Sequence, residues 1–129
     1  MSAISRLPQP SRRRRFALAV LVTCFAPPPG ASAEVRCGWL ENPTPGNRWL
    51  KDHGGEWIIS MQGGPYAEGV ERLPEPSADR FVKTNGDYGF SCACVKGAFD
   101  PSTTSVARID AARILPLSAC RNDRKLQGP

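Results

Sequence analysis

The sequence predicts a mostly β domain: a small antiparallel sheet or partly open barrel of about five short strands, stapled by two disulfides. Three observations lead to this prediction. Glycine and proline, 12 and 13 of the 129 residues, interrupt the chain every few residues. No segment carries an apolar stripe at helical spacing over three turns. Four cysteines follow residue 33, an even number that is typical of a disulfide framework in a short exported domain.

Residues 1–33 have the features of an export signal. Four arginines at residues 12–15 precede an apolar run over residues 16–26, and small residues at 31–33 precede a cleavage site. The apolar run spans about 17 Å as a helix, which is too short for a bilayer core. We therefore predict a signal peptide over residues 1–33 and a single small β domain over residues 34–129. The mature protein is expected to be periplasmic or secreted, without a transmembrane span.

Two alternatives concern how the leader is used. Residues 11–16 (SRRRRF) resemble a twin-arginine signal, although the strongly apolar run that follows favours the general secretory route. Cys24 ends a sequence similar to a lipoprotein box, but Thr23 stands where a smaller residue is usual. Lipid anchoring through Cys24 is therefore the minority alternative to a soluble mature protein.

The net charge of +5 belongs to the leader. Residues 1–33 contain five arginines and no acidic residue, whereas residues 34–129 contain 12 basic and 12 acidic side chains. A neutral mature domain lacks the basic surface that nucleic acid or anionic lipid requires. Its length is also too short for a two-domain enzyme. We therefore expect no nucleic-acid partner.

The first half of the domain is predicted to contain three short strands. The strands are residues 35–40, a brief segment at residues 48–50, and residues 56–62. A loop over residues 41–46 (ENPTPG) connects the first two, and a turn at residues 52–55 connects the last two. The loop is predicted because two X-Pro steps force extended or turn geometry. Alternation places Trp57, Ile59 and Met61 on one face of the third strand. Residues 63–76 are predicted to be irregular.

A hairpin over residues 80–95 is the clearest local signal. Asn85-Gly86 lies between two β-rich runs, which is typical of a two-residue type I′ turn and places Phe81 opposite Phe90. Tyr88, Phe90, Cys92 and Cys94 then share one face. Residues 105–117 fit either a helix or a strand, and we favour a strand that pairs back on residues 88–95.

The cysteine spacing indicates which disulfides form. Cys92 and Cys94 are two residues apart on one strand, where a mutual bond would strain the extended backbone. If residues 105–117 return antiparallel, Cys120 lies nearer Cys92, so we predict Cys92–Cys120 and Cys37–Cys94, with the swapped pairing as the alternative. Each bond is worth about 3–4 kcal/mol by the chain-entropy account. A zinc site is disfavoured because the chain has no C-x-x-C pair and one histidine.

Several short motifs in combination resemble a known family. They are Cys37-Gly38-Trp39, residues 42–47 (NPTPGN), residues 84–86 (TNG), Cys92-Ala93-Cys94, and residues 115–117 (LPL) before Cys120. This pattern is similar to a family of small exported bacterial proteins that is catalogued only as a domain of unknown function. The resemblance covers residues 37–124. It implies a proteobacterial-type periplasmic or secreted protein and implies no particular chemistry.

No set of residues predicts catalysis. His53 lies in a glycine-rich turn and is most simply a solvated residue, and a strand gives Cys92 and Cys94 no helix terminus to lower a thiol pKa. We therefore predict a non-enzymatic protein, without cofactor or metal, that binds a protein, peptide or cell-wall glycan, for example as an inhibitor of an envelope hydrolase. The alternatives are a thiol–disulfide redox protein that uses Cys92 and Cys94, and a structural envelope protein.

The candidate ligand-binding residues surround the proline loop. Trp39 and Trp49 flank it, Asn42 lies within it, and Asn47 directly follows it. A stiff loop beside two tryptophans is typical of a binding platform, because little entropy is lost on binding and large aromatic area becomes buried. The alternative is that the asparagines hold the backbone of the loop itself. Trp57 is predicted to be internal.

Overall fold

The computed structural model describes residues 33–129. The lipid-anchor alternative at Cys24 and the predicted signal peptide, residues 1–33, lie outside the described part, except for Ala33. The described elements are β1 (Glu34–Thr44), β2 (Asn47–Asp52), β3 (Gly55–Ser60), two 3₁₀ turns (Val70–Arg72 and Ala78–Arg80), β4 (Phe81–Asn85), β5 (Tyr88–Asp100), β6 (Ser105–Leu115) and α1 (Leu117–Arg121). The mostly β prediction is confirmed. Residues 105–117 form a strand, as favoured, but it ends at Leu115, and Leu117 begins α1.

The six strands form one sheet in the order β1-β2-β3-β6-β5-β4, and β1 also pairs with β5. The path through β1, β2, β3, β6 and β5 therefore returns to β1, as in small partly open barrels. These five strands are called the ring below. The pairs are antiparallel except for β3 and β6, which meet in parallel at Ile58 and Ser105. Where β3 and β6 diverge, the backbone of residues 67–68 forms hydrogen bonds with both strands.

The core fills the inside of the ring. Successive side chains alternate between the two faces of a strand, so one set of alternate residues on each strand points inward. The buried inner residues are Leu40, Leu50, Trp57, Ile59, Ala67, Val70, Ala93, Val95, Phe99, Val106 and Ile109. Gly97 shows how closely the strands approach, because a Cβ there would lie 2.0 Å from the Arg108 carbonyl oxygen.

A second cluster, called the outer cluster, lies on the outer face of β1 and β5. Trp39, Cys92 and Cys120 are its buried members, and Phe90 packs edge-on to Trp39 with ring centroids 5.2 Å apart. The Cys92–Cys120 bond, here the helix disulfide, ties α1 over this cluster. The Cys37–Cys94 bond, here the strand disulfide, joins directly opposite residues of β1 and β5. The preferred cysteine pairing is therefore confirmed.

The loop predicted at residues 41–46 is wrong, because β1 continues to Thr44 and only Pro45 and Gly46 form the turn. Pro43 is tolerated because the pairing of β1 with β2 is irregular between Glu41 and Thr44. Proline is accepted at such bulges, where its missing N–H costs no ladder bond.

The predicted register of the hairpin is also wrong. Val82 pairs with Phe90 and Phe81 pairs with Ser91, because the pairing shifts between Lys83 and Asn85. Gly86 has φ of 57°, whereas Asn85 is not in the left-handed region, so the turn is not type I′. A one-residue slip moves side chains to the opposite face. Phe81 consequently lies opposite Ser91 in the cavity wall, whereas Phe90 packs on Trp39 on the outer face.

The strand predicted over residues 56–62 ends earlier, at Ser60. Met61 is 41% exposed, so it does not share the core with Trp57 and Ile59. The reason is a turn, in which the Gly64 N–H donates to the Met61 carbonyl and Gly63 adopts φ of 70°.

Candidate functional site

A cavity of about 320 Å³ opens at one end of the ring. Its walls come from β1, β2, β4, β5 and residues 73–78. The apolar lining is Leu40, Leu73, Pro74, Pro76, Ala78 and Phe81, and the polar lining is Asn42, Arg48, Glu75, Lys83, Asp87 and Ser91. A volume near the lower limit of ligand pockets, which run from about 300 to 1,000 Å³, suits a small group rather than an extended surface.

One wall of the cavity, residues 73–76, is anchored on both sides. Arg72 Nη1 donates to the Ile109 carbonyl at 2.8 Å, and Arg80 Nη1 donates to the Ile114 carbonyl at 3.0 Å. Both acceptors belong to β6. Pro74 and Pro76 restrict the backbone between these anchors. The wall is therefore preformed, and a ligand does not have to order it.

β2 carries a charged residue at each end of its inward face. Arg48, Leu50 and Asp52 alternate along the strand, and Leu50 is fully buried inside the ring. Residues two apart on a strand share a face, and Arg48 and Asp52 are about 13 Å apart along the strand. The two charges therefore lie at opposite ends of the ring, with Arg48 in the wall of the cavity.

Arg36 closes the end of the ring at which Asp52 lies. Arg36 Nη1 donates to Asp52 Oδ2 at 2.8 Å, and the guanidinium lies 4.3 Å from the centroid of Trp57 and 5.2 Å from that of Phe99. Burial alone would raise the pKa of Asp52, but hydrogen bonds from Arg36 and the Gly54 N–H lower that pKa below its ordinary value. This end is thus filled by a neutralised ion pair, here called the Arg36 plug.

Arg48 occupies the opposite end without such a partner. Its side chain is half-buried, and no residue in the described part of the chain forms an ion pair or hydrogen bond with it. Lys83 and Asp87, on the rim, pair with each other at 3.2 Å. Glu75 is exposed on the proline wall. The guanidinium of Arg48 is therefore available to an acceptor that enters the cavity.

A family model described as Protein of unknown function (DUF4087) matches residues 31–127. The chain belongs to this family. The match covers about three quarters of the chain and includes all the described strands, both disulfides and the cavity, so the DUF4087 region coincides with the domain described above. No curated protein and no solved structure matches the chain.

The two asparagines predicted as ligand-binding residues hold the turn between β1 and β2. With its amide nitrogen facing the turn, Asn42 donates to the carbonyls of Thr44 and Asn47, at 3.1 and 2.9 Å. Asn47 donates to Thr44 Oγ1 at 2.6 Å and accepts a hydrogen bond from the Gln62 N–H. Asn42 also lines the cavity, whereas Asn47 lies behind it in the turn.

The two tryptophans predicted to form a platform point to the outer face of the sheet. Trp39 is 3% exposed within the outer cluster, so it is not available to a ligand. Trp49 is half-buried, and its Nε1 donates to Glu41 Oε2. Neither of them lines the cavity, which is bounded by inward-facing residues. Trp57 is buried in the inner core, as predicted.

His53 links two distant parts of this DUF4087 domain. Its Nε2 lies 2.7 Å from Asp123 Oδ2, which connects the turn between β2 and β3 to the segment after α1. This hydrogen bond lowers the pKa of Asp123 below its ordinary value. His53 itself is exposed, as expected of a turn residue.

The cysteines do not form a single dithiol site. Cys92 bonds to Cys120 and Cys94 bonds to Cys37. Disulfides of this kind are typical of proteins in oxidising compartments. Within residues 33–129, no group of three or more His, Cys, Asp or Glu side chains is placed to hold a metal. The same residues contain no helix that is long and apolar enough to cross a bilayer.

Proposed function

We propose that this DUF4087 protein is an exported, non-catalytic binding module whose site is the cavity at the Arg48 end of the ring. The observation that supports the proposal is a preformed concavity with apolar walls and one unpaired guanidinium. Sites of this composition bind an apolar group and orient it with few polar contacts. The partner is a protein or peptide of the cell envelope, a compartment that suits both the leader and the two disulfides.

The lining favours an apolar side chain over a sugar ring. Leu40, Leu73, Phe81 and two prolines supply most of the apolar part of the walls. An exposed aromatic platform for a sugar is not supported, because Trp39 is buried and Trp49 is held on the outer face of β2 by Glu41. A peptide that inserts one apolar residue is therefore a better match than a glycan.

The cavity residues also favour binding over catalysis. Ser91 is the hydroxyl residue in the cavity lining. The lining contains no histidine, and its amine, on Lys83, donates a hydrogen bond to Asp87 rather than to Ser91. His53 lies with Asp52 near the opposite end of the ring. Nucleophile and base are thus not brought together.

A cavity-blocking variant tests the proposal. Ala78 is exposed on the cavity rim, so Ala78→Trp should fill the opening without disturbing the core. Ala119→Trp places the same side chain on exposed α1, on a different element, and serves as the matched control. The disulfide-bonded protein and both variants are immobilised and exposed to an envelope extract. We expect captured peptides or proteins that bind the wild type and Ala119→Trp but are depleted by Ala78→Trp; equal capture by all three would contradict the proposal.

A further inference from the structure

We propose that the cavity binds the C-terminal residue of a peptide, with Arg48 holding the terminal carboxylate and the apolar walls holding the side chain. This inference rests on the proposed function and specifies its ligand. It follows from three features of the cavity: the charge of Arg48, the size of the space, and the composition of its walls.

The charge argument compares the two ends of the ring. At one end the inward charge of Asp52 is neutralised by Arg36. At the other end Arg48, a half-buried residue, has no counter-ion among the described residues. A charge that is partly removed from water without a partner is unfavourable. An incoming carboxylate would satisfy it, and the planar guanidinium fork matches the two oxygens of a carboxylate.

The size argument restricts where that carboxylate comes from. A cavity of about 320 Å³ lies at the small end of the range of ligand pockets, so it admits a short group and not an extended segment. A ligand whose carboxylate and apolar group lie close together fits this space best. The C-terminal residue of a peptide carries both, because its α-carboxylate is attached to the carbon that bears the side chain.

The walls determine which terminal residue fits. The lining takes its apolar surface mainly from Leu40, Leu73, Pro74, Pro76 and Phe81. These residues favour an aliphatic side chain. Lys83 is paired with Asp87 on the exposed rim, whereas Arg48 lies in the cavity wall without an ion-pair partner among the described residues.

Three small probes test this assignment by two-dimensional NMR of the ¹⁵N-labelled, disulfide-bonded protein recovered after expression of the full chain. N-acetyl-L-leucine carries both the carboxylate and the side chain. N-acetyl-L-leucinamide keeps the side chain without the charge, and N-acetylglycine keeps the charge without the side chain. We expect N-acetyl-L-leucine to shift the amide signals of Asn42, Arg48 and Ser91, and to bind at least tenfold more tightly than either of the other probes.

Two variants show whether Arg48 is responsible. Arg48→Met should remove the preference for the acid over the amide, whereas Arg113→Met, at an exposed arginine of β6, should keep it. Arg48→Lys should keep only part of the preference, because an ammonium lacks the guanidinium fork. Unchanged signals of the inner core establish that each variant is folded.

Each other result overturns the inference. Equal binding of the acid and the amide would show that the cavity binds the side chain but does not recognise the carboxylate. Equal binding of N-acetyl-L-leucine and N-acetylglycine would indicate a simple anion site. No shift with any probe would reject the terminal-residue ligand, and the proposed function would still be decided separately by Ala78→Trp.

Discussion

Replacing Arg36 with methionine should destabilise the domain, because it removes the cation that neutralises Asp52. The Asp52 side chain is 8% exposed and Arg36 is 26% exposed. Breaking a buried ion pair by removing one partner costs about 3–5 kcal/mol. Arg36 is only partly buried, and Asp52 keeps its hydrogen bond from the Gly54 N–H, so we expect the lower value, about 3 kcal/mol.

Little of the stability lost in Arg36→Met comes from lost apolar contact. Methionine keeps an unbranched apolar chain over Trp57 and Phe99, whereas the cation–π attraction of the guanidinium, worth about 1 kcal/mol, disappears. For a domain of this size a loss of 3 kcal/mol lowers the melting temperature by roughly 12–24 °C. The measurement is urea unfolding of the oxidised protein, followed by tryptophan fluorescence.

Acid provides a second measurement of the same interaction. The pKa of Asp52 is lower in the folded state than its ordinary value of about 3.9. Its contribution to stability is therefore fully present above that ordinary value and is lost as the pH falls through the folded pKa. The difference in unfolding free energy between wild type and Arg36→Met should accordingly shrink between about pH 5 and pH 2.

A double-mutant cycle and a control decide whether the Arg36 plug exists. Asp52→Asn should cost less in the Arg36→Met background than in the wild type, with a coupling of about 1–2 kcal/mol. Arg113→Met, at an exposed arginine, should change stability by no more than about 0.5 kcal/mol. A loss below about 1 kcal/mol for Arg36→Met, or strictly additive effects, would refute the argument that the two ends of the ring differ in charge compensation.

Three further outcomes are expected. Gly97→Ala should cost more than about 2 kcal/mol in urea unfolding, because the new Cβ would meet the Arg108 carbonyl at 2.0 Å; a neutral result would contradict the close approach of β5 and β6. Trp39→Ala should lower the free energy of unfolding by about 3–5 kcal/mol, since Trp39 is a buried member of the outer cluster. A loss near zero would show that Trp39 is not a buried packing residue. During graded reduction, the strand disulfide should open before the helix disulfide, because Cys37 is exposed whereas both cysteines of the helix disulfide are buried. Alkylation followed by peptide mapping measures the order, and the reverse order would contradict this reasoning.

The disulfide framework and the β class could be predicted because they depend on local and simply geometric rules. Two cysteines at i and i+2 on a strand point to the same side, so they require separate partners. A strand at residues 105–115 that returns antiparallel to β5 places Leu115 opposite Cys92, and α1 then brings Cys120 back to it. Neither step requires knowledge of the packing of the rest of the chain.

The register of the β4–β5 hairpin could not be predicted from its turn dipeptide. Asn85-Gly86 favours a type I′ turn when it is isolated. In the folded domain Phe81 pairs with Ser91, which faces Leu40 on the neighbouring β1, and Phe90 packs on Trp39 outside the ring. The one-residue shift places Phe81 in the cavity wall while Phe90 packs on Trp39, so tertiary packing overrides the preference of the turn.

The cavity was missed for a related reason, since its proline wall looks like an irregular linker in the sequence. Residues 73–76 become a wall only because Arg72 and Arg80 reach carbonyls of β6 more than thirty residues away. Nothing in the local sequence indicates those acceptors. The tryptophans attracted the functional interpretation instead, although alternation along β1 and β2 places Trp39 and Trp49 on the outer face.

One signal of the cavity was nevertheless present in the sequence. On β2, Arg48 and Asp52 lie two residues on either side of Leu50, on the face that a buried leucine directs toward the core. A charge in line with core positions needs a counter-charge within the protein or a ligand from outside. Arg36 lies on the same face of β1 as the buried Leu40, and it supplies the counter-charge for Asp52. Arg48 has no counterpart of this kind among the described residues, and it is at Arg48 that the ring opens into the cavity.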